Sequence, residues 1–177
     1  TLGNGFAGPA IQTERPFNVG QWIKVGDFEG RVAEVTWRAT KLLTKDGQFL
    51  ILPNSFISKE PILNYSEPTV PTRIEIDVGT SYLTPPNEVR AAIRRAVRDV
   101  PLVMPSLEPE IHLHNFGGST LDFKVRFWIA DYGTELDARD QVRTHLWYEF
   151  RRANIEIPWP IQIEYSREEQ PVRTDAH

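Results

Sequence analysis

The side chains best suited to metal chemistry in this 177-residue chain are two histidines on one predicted strand. His112 and His114 are two positions apart, so a strand would place them on one face, where Glu110 could join them. A zinc site needs three or four protein ligands, and neither a helical His-Glu-x-x-His pattern nor any cysteine supplies the others. We therefore expect two solvent-facing histidines on the non-core side of a strand and no metal site.

Nucleophilic and phosphate-binding chemistry lacks a matching motif. Ser55, in Pro53-Asn54-Ser55, is outside any Gly-x-Ser-x-Gly elbow and fits a turn or a helix cap after a strand. No glycine-rich phosphate loop occurs between a predicted strand and a helix. The carboxylates are scattered, and the absence of cysteine excludes thiolate catalysis and disulfides. These observations predict a protein that is not an enzyme and needs no cofactor.

The most concentrated charge is a basic stripe on one predicted helix. Arg90, Arg94 and Arg98 are four residues apart, with Arg95 adjacent, and such a stripe could meet phosphates or an acidic partner. Glu88 and Asp99 lie close to these arginines and reduce the local positive charge, so we favour a solvent-exposed helix face over a binding site.

Nucleic-acid binding is the alternative that the predicted folds allow. The chain carries 20 Lys+Arg against 24 Asp+Glu, a formal net charge of −4, and the acidic excess lies after residue 70. A sheet that stacks RNA bases needs exposed aromatic rings, yet Phe123 and Phe127 share an apolar stripe with Leu121 and Val125. Trp128 alone points the other way. A soluble RNA- or ligand-binding protein therefore stays the alternative, and we expect no nucleic-acid partner.

The first half of the chain contains short apolar segments separated by turn residues. The sequence Gly26-Asp27-Phe28-Glu29-Gly30 and the pair Asp46-Gly47 predict turns. Several short strands in about 50 residues indicate a small bent β-barrel. The predicted strands are Trp22–Val25, Arg31–Trp37, Thr40–Leu43, Gln48–Leu52 and Ile62–Tyr65.

The second half follows a proline-containing linker, residues 67–71, and has longer periodic patterns. Arg73–Val78 alternates as a strand does, and a helix follows with Thr84 as N-cap and Pro85 at its first position. The core stripe of that helix consists of Val89, Ala92, Ile93, Ala96, Val97 and Val100.

A hairpin and a second helix complete this pattern. A strand begins at Ile111 and Leu113, turns at Gly117-Gly118, and returns as a long strand with Leu121, Phe123, Val125, Phe127 and Ile129 on its core face. Thr134 and Asp137 resemble a capping box for a helix that buries Val142, Leu146 and Phe150 and ends at Asn154. A short strand with Ile161, Ile163 and Tyr165 gives the order β-α-β-β-α-β of a ferredoxin-like unit.

The first residues are small and apolar. Gly3 and Ala7 are four apart, a spacing that lets helices approach closely, whereas Pro9 favours a glycine-rich frayed terminus. No run reaches the roughly 18–20 apolar residues that cross a bilayer. Because the chain opens without Met on a helix-like segment, we expect it to be a piece of a longer protein.

Taken together, ordered motifs in this chain resemble the mechanosensitive channel of small conductance family, in its cytoplasmic part. The motifs are T-L-G-N-G-F-A-G at 1–8, E-R-P-F-N-V-G-Q-W-I at 14–23, E-G-R-V at 29–32, W-R-A-T at 37–40, D-G at 46–47, L-P-N-S at 52–55, N-Y-S at 64–66 and I-E-I-P-W-P at 155–160.

The resemblance implies a homoheptameric ring in the inner (cytoplasmic) membrane that opens under bilayer tension and releases osmolytes on hypo-osmotic shock. This chain would supply the cage on the cytoplasmic side, and helices upstream of it would contact the lipid bilayer. Its implied class is α+β, a small bent Sm-like β-barrel followed by a ferredoxin-like βαββαβ domain and a short C-terminal strand.

The resemblance also assigns segments and packing residues. Residues 1–16 would be the distal end of a pore-lining helix, 17–66 the middle β domain and 67–158 the α/β domain. Residues 159–166 would hold a strand for an oligomeric barrel, and 167–177 a polar tail or linker. The implied pore-helix packing residues are Gly3, Asn4, Ala7 and Gly8, and the implied barrel residues are Ile161, Ile163 and Tyr165.

Overall fold

The computed structural model describes residues 15–67 and 71–159, which we call the β module and the α/β module. They combine two antiparallel sheets with helices, a mixed α/β architecture as predicted at that level. The β module contains β1 Trp22–Val25, β2 Phe28–Val35, β3 Ala39–Leu43, β4 Phe49–Pro53, the short helix α1 Asn54–Ile57 and β5 Ile62–Asn64. The α/β module contains β6 Thr72–Thr80, α2 Pro86–Arg98, β7 Glu110–Phe116, β8 Leu121–Ile129 and α3 Glu135–Arg152, preceded by a 3₁₀ turn at Tyr132–Thr134.

The β module is a five-stranded sheet in the order β4-β3-β2-β1-β5. The turn predicted over residues 26–30 is confirmed but shorter, because Val25 pairs with Phe28 and the strand β2 already includes Gly30. Gly26 has φ +57°, which permits a two-residue turn. Gly30 instead allows a close approach, since a Cβ there would lie 2.9 Å from the Leu43 carbonyl oxygen.

A small apolar core holds this sheet together. Its buried side chains are Phe17, Ile23, Val25, Val32, Leu42, Leu52 and Ile57. Thr40 is fully buried beside them, and its hydroxyl donates to Asn54 Oδ1 at 2.9 Å. In turn, the side-chain amide of Asn54 donates to the Thr36 carbonyl oxygen at 2.9 Å. Asn54 therefore ties the start of α1 to β3 and to the turn that precedes β3.

The α/β module places α2 and α3 on one face of a three-stranded sheet in the order β6-β8-β7. All five predicted apolar positions of β8 are buried, and the predicted stripe of α2 is buried as well, which confirms both patterns. Because Phe123 and Phe127 lie in this core, with 1% and 0% exposure, they are unavailable to stack on bases.

The predicted start of α2 is wrong, whereas that of α3 is correct in position. Pro85 is the N-cap of α2 and Pro86 its first residue, because a residue before proline is disfavoured in the helical conformation and Pro85 is extended with ψ 140°. Thr134 is the N-cap residue of α3, as predicted, but its side chain makes no capping hydrogen bond; its hydroxyl donates to the Asp131 carbonyl oxygen at 2.8 Å. Asn154 ends α3 with φ +56°, as predicted.

The sheet face away from the helices is charged. Lys124 binds Glu75 at 3.1 Å and Asp77 at 3.0 Å, and Arg126 binds Glu75 at 2.7 Å and Glu110 at 3.5 Å. These pairs link all three strands. Within residues 15–67 and 71–159, every helix is too short or too polar to cross a membrane.

Candidate functional site

The two modules meet at a pair of stacked tyrosines. Tyr65 follows β5 and Tyr132 begins the 3₁₀ turn after β8, and their ring centroids are 4.0 Å apart with an interplanar angle of 11°. Both hydroxyls donate to the carboxylate of Glu29 on β2, at 2.9 Å from Tyr65 and 3.1 Å from Tyr132. Trp22 contacts Tyr132 edge-on at 5.7 Å. One carboxylate of the β module therefore holds a tyrosine from each module.

A lysine connects this group to helix α3. Lys45 Nζ lies 2.8 Å from Glu135 Oε2 and 3.5 Å from Glu29 Oε1, and 4.2 Å from the centroid of the Tyr132 ring. The Glu135 side chain is 11% exposed, and it also accepts a hydrogen bond from Arg139 Nε one turn later. Lys45 thus neutralises carboxylates of both modules while its ammonium group lies over an aromatic face.

A second ion pair lies beside Trp22. Arg31 Nη2 donates to Asp131 Oδ2 at 3.0 Å and to Oδ1 at 3.1 Å, and its guanidinium carbon lies 5.4 Å from the Trp22 ring centroid. Asp131 also accepts the Gly133 N–H at 2.9 Å. A Cβ at Gly133 would lie 3.0 Å from Trp22 Cζ2, so the glycine permits the close approach of the modules.

Burial and pairing shift the acidities of these groups. Burial raises the pKa of Tyr65 above its ordinary value and that of Tyr132 to about 12, with Glu29 adding to both shifts. For Asp131, burial would raise the pKa, but the Gly133 amide and Arg31 outweigh it and hold the pKa below its usual value. The pKa of Glu135 is also lowered, since the effect of Lys45 and Arg139 outweighs that of burial. The native arrangement favours neutral phenols and ionised carboxylates.

These groups, which we call the module junction, surround a cleft of about 400 Å³ lined by Trp22, Arg31, Lys45, Asp131 and neighbouring residues. Each carboxylate described above is paired with a cation, and each phenol donates to a carboxylate. Such an arrangement attaches two bodies firmly, whereas catalysis would require a poised nucleophile or base.

No pattern in the sequence indicates the module junction. Tyr65 lies at the end of a predicted strand and in the N-Y-S motif, and Glu29 lies in a predicted turn and in the E-G-R-V motif, with no partner indicated for either. Arg31 and Asp131 are 100 residues apart, and Glu29 and Tyr132 are 103 apart, so no local spacing could pair them.

The candidate residues that sequence did select lie elsewhere. His112 and His114 are exposed on β7, as expected, with His112 Nε2 3.8 Å from Glu110 Oε2. In the parts of the chain that the structure describes, no three His, Asp or Glu side chains gather to hold a metal ion. The arginine stripe lies on the outer side of α2, where Arg94 and Arg98 pair with Glu108 at 4.0 and 2.5 Å. Gly3, Asn4, Ala7, Gly8, Ile161, Ile163 and Tyr165 lie outside the described residues.

Comparison with known proteins gives consistent matches along the chain. Two family models match in order, "Mechanosensitive ion channel, beta-domain" over residues 1–67 and "Mechanosensitive ion channel MscS, C-terminal" over residues 74–157. The mechanosensitive channel MscK of Escherichia coli is 32% identical over 143 residues, covering 81% of this chain and 12% of MscK. The small-conductance mechanosensitive channel MscMJ of Methanocaldococcus jannaschii is 28% identical over 170 residues, covering 93% of this chain and 48% of MscMJ.

Solved structures show the same fold. The closed-state crystal structure of Helicobacter pylori MscS matches with a TM-score of 0.73 and 25% identity, covering 88% of this chain and 60% of that one. Arabidopsis thaliana MSL1 matches with a TM-score of 0.61 and 21% identity, covering 82% of this chain and 54% of that one. This chain therefore belongs to the MscS family of mechanosensitive ion channels.

Proposed function

We propose that this chain forms the cytoplasmic cage of a tension-gated channel that releases ions and osmolytes after hypo-osmotic shock. The observation that supports this function is the match of two mechanosensitive-channel domains in order along one chain, over residues 1–67 and 74–157. In this proposal the channel lies in the inner membrane, and helices upstream of residue 1 contact the bilayer. The chain itself has no enzymatic role.

The β module has the features of a subunit that packs against copies of itself. Its edge strands are β4 and β5, and both carry apolar side chains that point away from the core: Phe49 is 63% exposed, Ile51 61% and Leu63 54%. Exposed apolar edge strands tend to pair with other chains. We propose that the sheet is an Sm-like barrel and that a ring of seven copies covers these edges.

The remaining segments follow the same proposal. Residues 1–16 end the pore-lining helix, with Gly3, Asn4, Ala7 and Gly8 packing between neighbouring helices. Residues 17–66 and 67–158 are the β and ferredoxin-like domains. Ile161, Ile163 and Tyr165 then form one strand of a barrel shared by all copies, because an isolated short strand is unstable alone. Residues 167–177 are a polar tail or a linker.

The module junction gives the cage its stiffness in this proposal. The stacked tyrosines and the Lys45 bridge join the β module to the α/β module at several points. Consequently, a displacement of the β module during gating would move the α/β module with it.

The test is electrophysiology of the full-length protein in liposome patches. Suction should open a channel in patches that contain the protein and in none that lack it, and expression should improve the survival of channel-deficient cells after osmotic downshock. Silent patches with correctly inserted protein would contradict the proposal. The RNA-binding alternative instead predicts RNA affinity that falls steeply with salt, which a filter-binding titration would detect.

A further inference from the structure

The two stacked tyrosines of the module junction are close enough to react with each other. Their ring centroids are 4.0 Å apart and the rings are nearly parallel, so the two π systems are in van der Waals contact. Both hydroxyls reach the same oxygen, Glu29 Oε2, at 2.9 Å from Tyr65 and 3.2 Å from Tyr132. The hydroxyl ends of the two rings therefore lie together, and so do the ring carbons next to each hydroxyl, the Cε atoms.

The Cε atoms are the carbons through which tyrosyl radicals couple. When a phenol loses one electron and its proton, the unpaired electron is shared between the oxygen and the ring carbons ortho and para to it. The para carbon of tyrosine already carries Cβ, so a carbon–carbon bond between two tyrosyl radicals forms at the ortho carbons, which are the Cε atoms. The stacking of Tyr65 on Tyr132 thus brings the coupling positions of two tyrosines from different modules together.

An acceptor for the phenolic protons is also in place. The Glu29 carboxylate accepts the hydrogen bonds of both phenols, and its side chain is 29% exposed, so it can pass a proton on to water. Lys45 Nζ lies 4.2 Å from the centroid of the Tyr132 ring, and a cation at that position disfavours a ring that has lost an electron but kept its proton. Loss of the electron is therefore coupled to transfer of the proton to Glu29.

We propose that Tyr65 and Tyr132 are an oxidative modification site, at which two small one-electron oxidants of the radical class join the β module to the α/β module through a dityrosine bond. Each oxidant takes one electron from one phenol and is reduced, and each phenolic proton leaves through Glu29 to water. A bond then forms between one Cε atom of each ring. The hydrogens on these two carbons leave as protons while the two oxygens are protonated again, so the net loss is two electrons and two protons. The modification replaces a reversible junction by a permanent one.

The other tyrosines within residues 15–67 and 71–159 have different surroundings. The Tyr82 hydroxyl donates to the Gly117 carbonyl oxygen, and the Tyr148 ring contacts Trp147 edge-on at 5.0 Å. Both side chains are exposed, so their radicals meet those of other molecules. Cross-links through Tyr82 or Tyr148 therefore increase with protein concentration, whereas the bond between Tyr65 and Tyr132 forms within one chain.

The test exposes the folded chain to azide radicals, which are small one-electron oxidants of tyrosine and tryptophan, generated by radiolysis at low dose. Trypsin should then release a cross-linked product of peptides 60–73 and 127–139, which contain Tyr65 and Tyr132 and are together lighter by two hydrogens. Mass spectrometry identifies this product, and dityrosine fluorescence measures its yield. The yield per dose should be independent of protein concentration, and it should disappear when the chain is oxidised in urea.

Three variants separate the roles of the groups. Tyr132→Phe should abolish the 60–73/127–139 product, whereas Tyr148→Phe, the matched control at an exposed tyrosine, should leave its yield unchanged. Glu29→Gln removes the proton acceptor, and the yield should fall on the order of tenfold while near-ultraviolet circular dichroism shows the rings still packed.

Two results would overturn the proposal. The first is a folded parent chain that gives no 60–73/127–139 product, or gives cross-links through other tyrosines alone. The second is an undiminished yield in Glu29→Gln, which would show that the carboxylate is not the proton acceptor of the reaction.

Discussion

Arg139 Nη1 donates a 2.6 Å hydrogen bond to the backbone carbonyl oxygen of Glu75. Since Arg139 Nε also binds Glu135, and Glu135 binds Lys45, a continuous polar chain runs from the middle of β6 through α3 to the β module. The β module is therefore attached to the sheet as well as to the surface of α3. Four predictions concern this connection and the module junction to which it leads.

Removal of the Lys45 charge should weaken the junction. Lys45→Met leaves the nearly buried Glu135 carboxylate with Arg139 alone, and we expect the free energy of unfolding to fall by about 1–2 kcal/mol. Urea denaturation of the chain measures this. Lys41→Met is the control, because its partner Glu34 is 57% exposed and such pairs contribute less than about 1 kcal/mol. Equal losses in the two variants would contradict a special role for Lys45.

Alkaline pH should remove the stability that Tyr65 and Tyr132 contribute to the module junction. Their folded pKa values are raised, so the stability that they contribute is complete below the unfolded pKa of about 10 and disappears as pH rises through the folded pKa, which is about 12 for Tyr132. In a spectrophotometric titration, Tyr132→Phe should remove a late-ionising phenol. A late component that survives Tyr132→Phe undiminished would be inconsistent with this assignment.

Acid should also weaken the junction. The pKa values of Asp131 and Glu135 are lowered in the folded state, so their stabilisation is present above the unfolded pKa near 4 and is lost as pH falls through the folded pKa. The unfolding free energy of Asp131→Asn should therefore depend less on pH below about pH 4 than that of the parent. Identical slopes in the parent and in Asp131→Asn would count against the Arg31–Asp131 pair.

Close packing at Gly133 gives a steric test. Gly133→Ala places a methyl group 3.0 Å from Trp22 Cζ2, and we expect a loss of about 1–3 kcal/mol because the ring is buried and must shift. Gly118→Ala is the control, since a Cβ at Gly118 meets nothing within 4 Å. Thermal denaturation of both variants decides, and a neutral Gly133→Ala would show that the modules can separate without cost.

Periodicity in the sequence predicted the parts of the fold in which one face of a single element is buried. Val89 and Val97 on α2 and Phe123 on β8 are core residues because apolar spacing follows the helix or strand period. Cap predictions failed at Thr84, where adjacent prolines determine the helix start. The junction was beyond such reasoning because Tyr132 meets Glu29 and Lys45 only through the way the two modules pack.

The charged face of the sheet also restricts how β6 can align with β8 during folding. The apolar stripes alone would tolerate a shift of two residues, because such a shift returns the same faces to the core. From the present register, in which Glu75 lies opposite Arg126, that shift in one direction would set Asp77 opposite Asp122 and Arg73 opposite Arg126. The shift in the other direction would set Arg126 opposite Asp77 and Glu75 opposite Trp128, so that one opposite-charge pair would replace the present two. Like charges directly opposite are unfavourable, so the surface charges select the one alignment that the core leaves undecided.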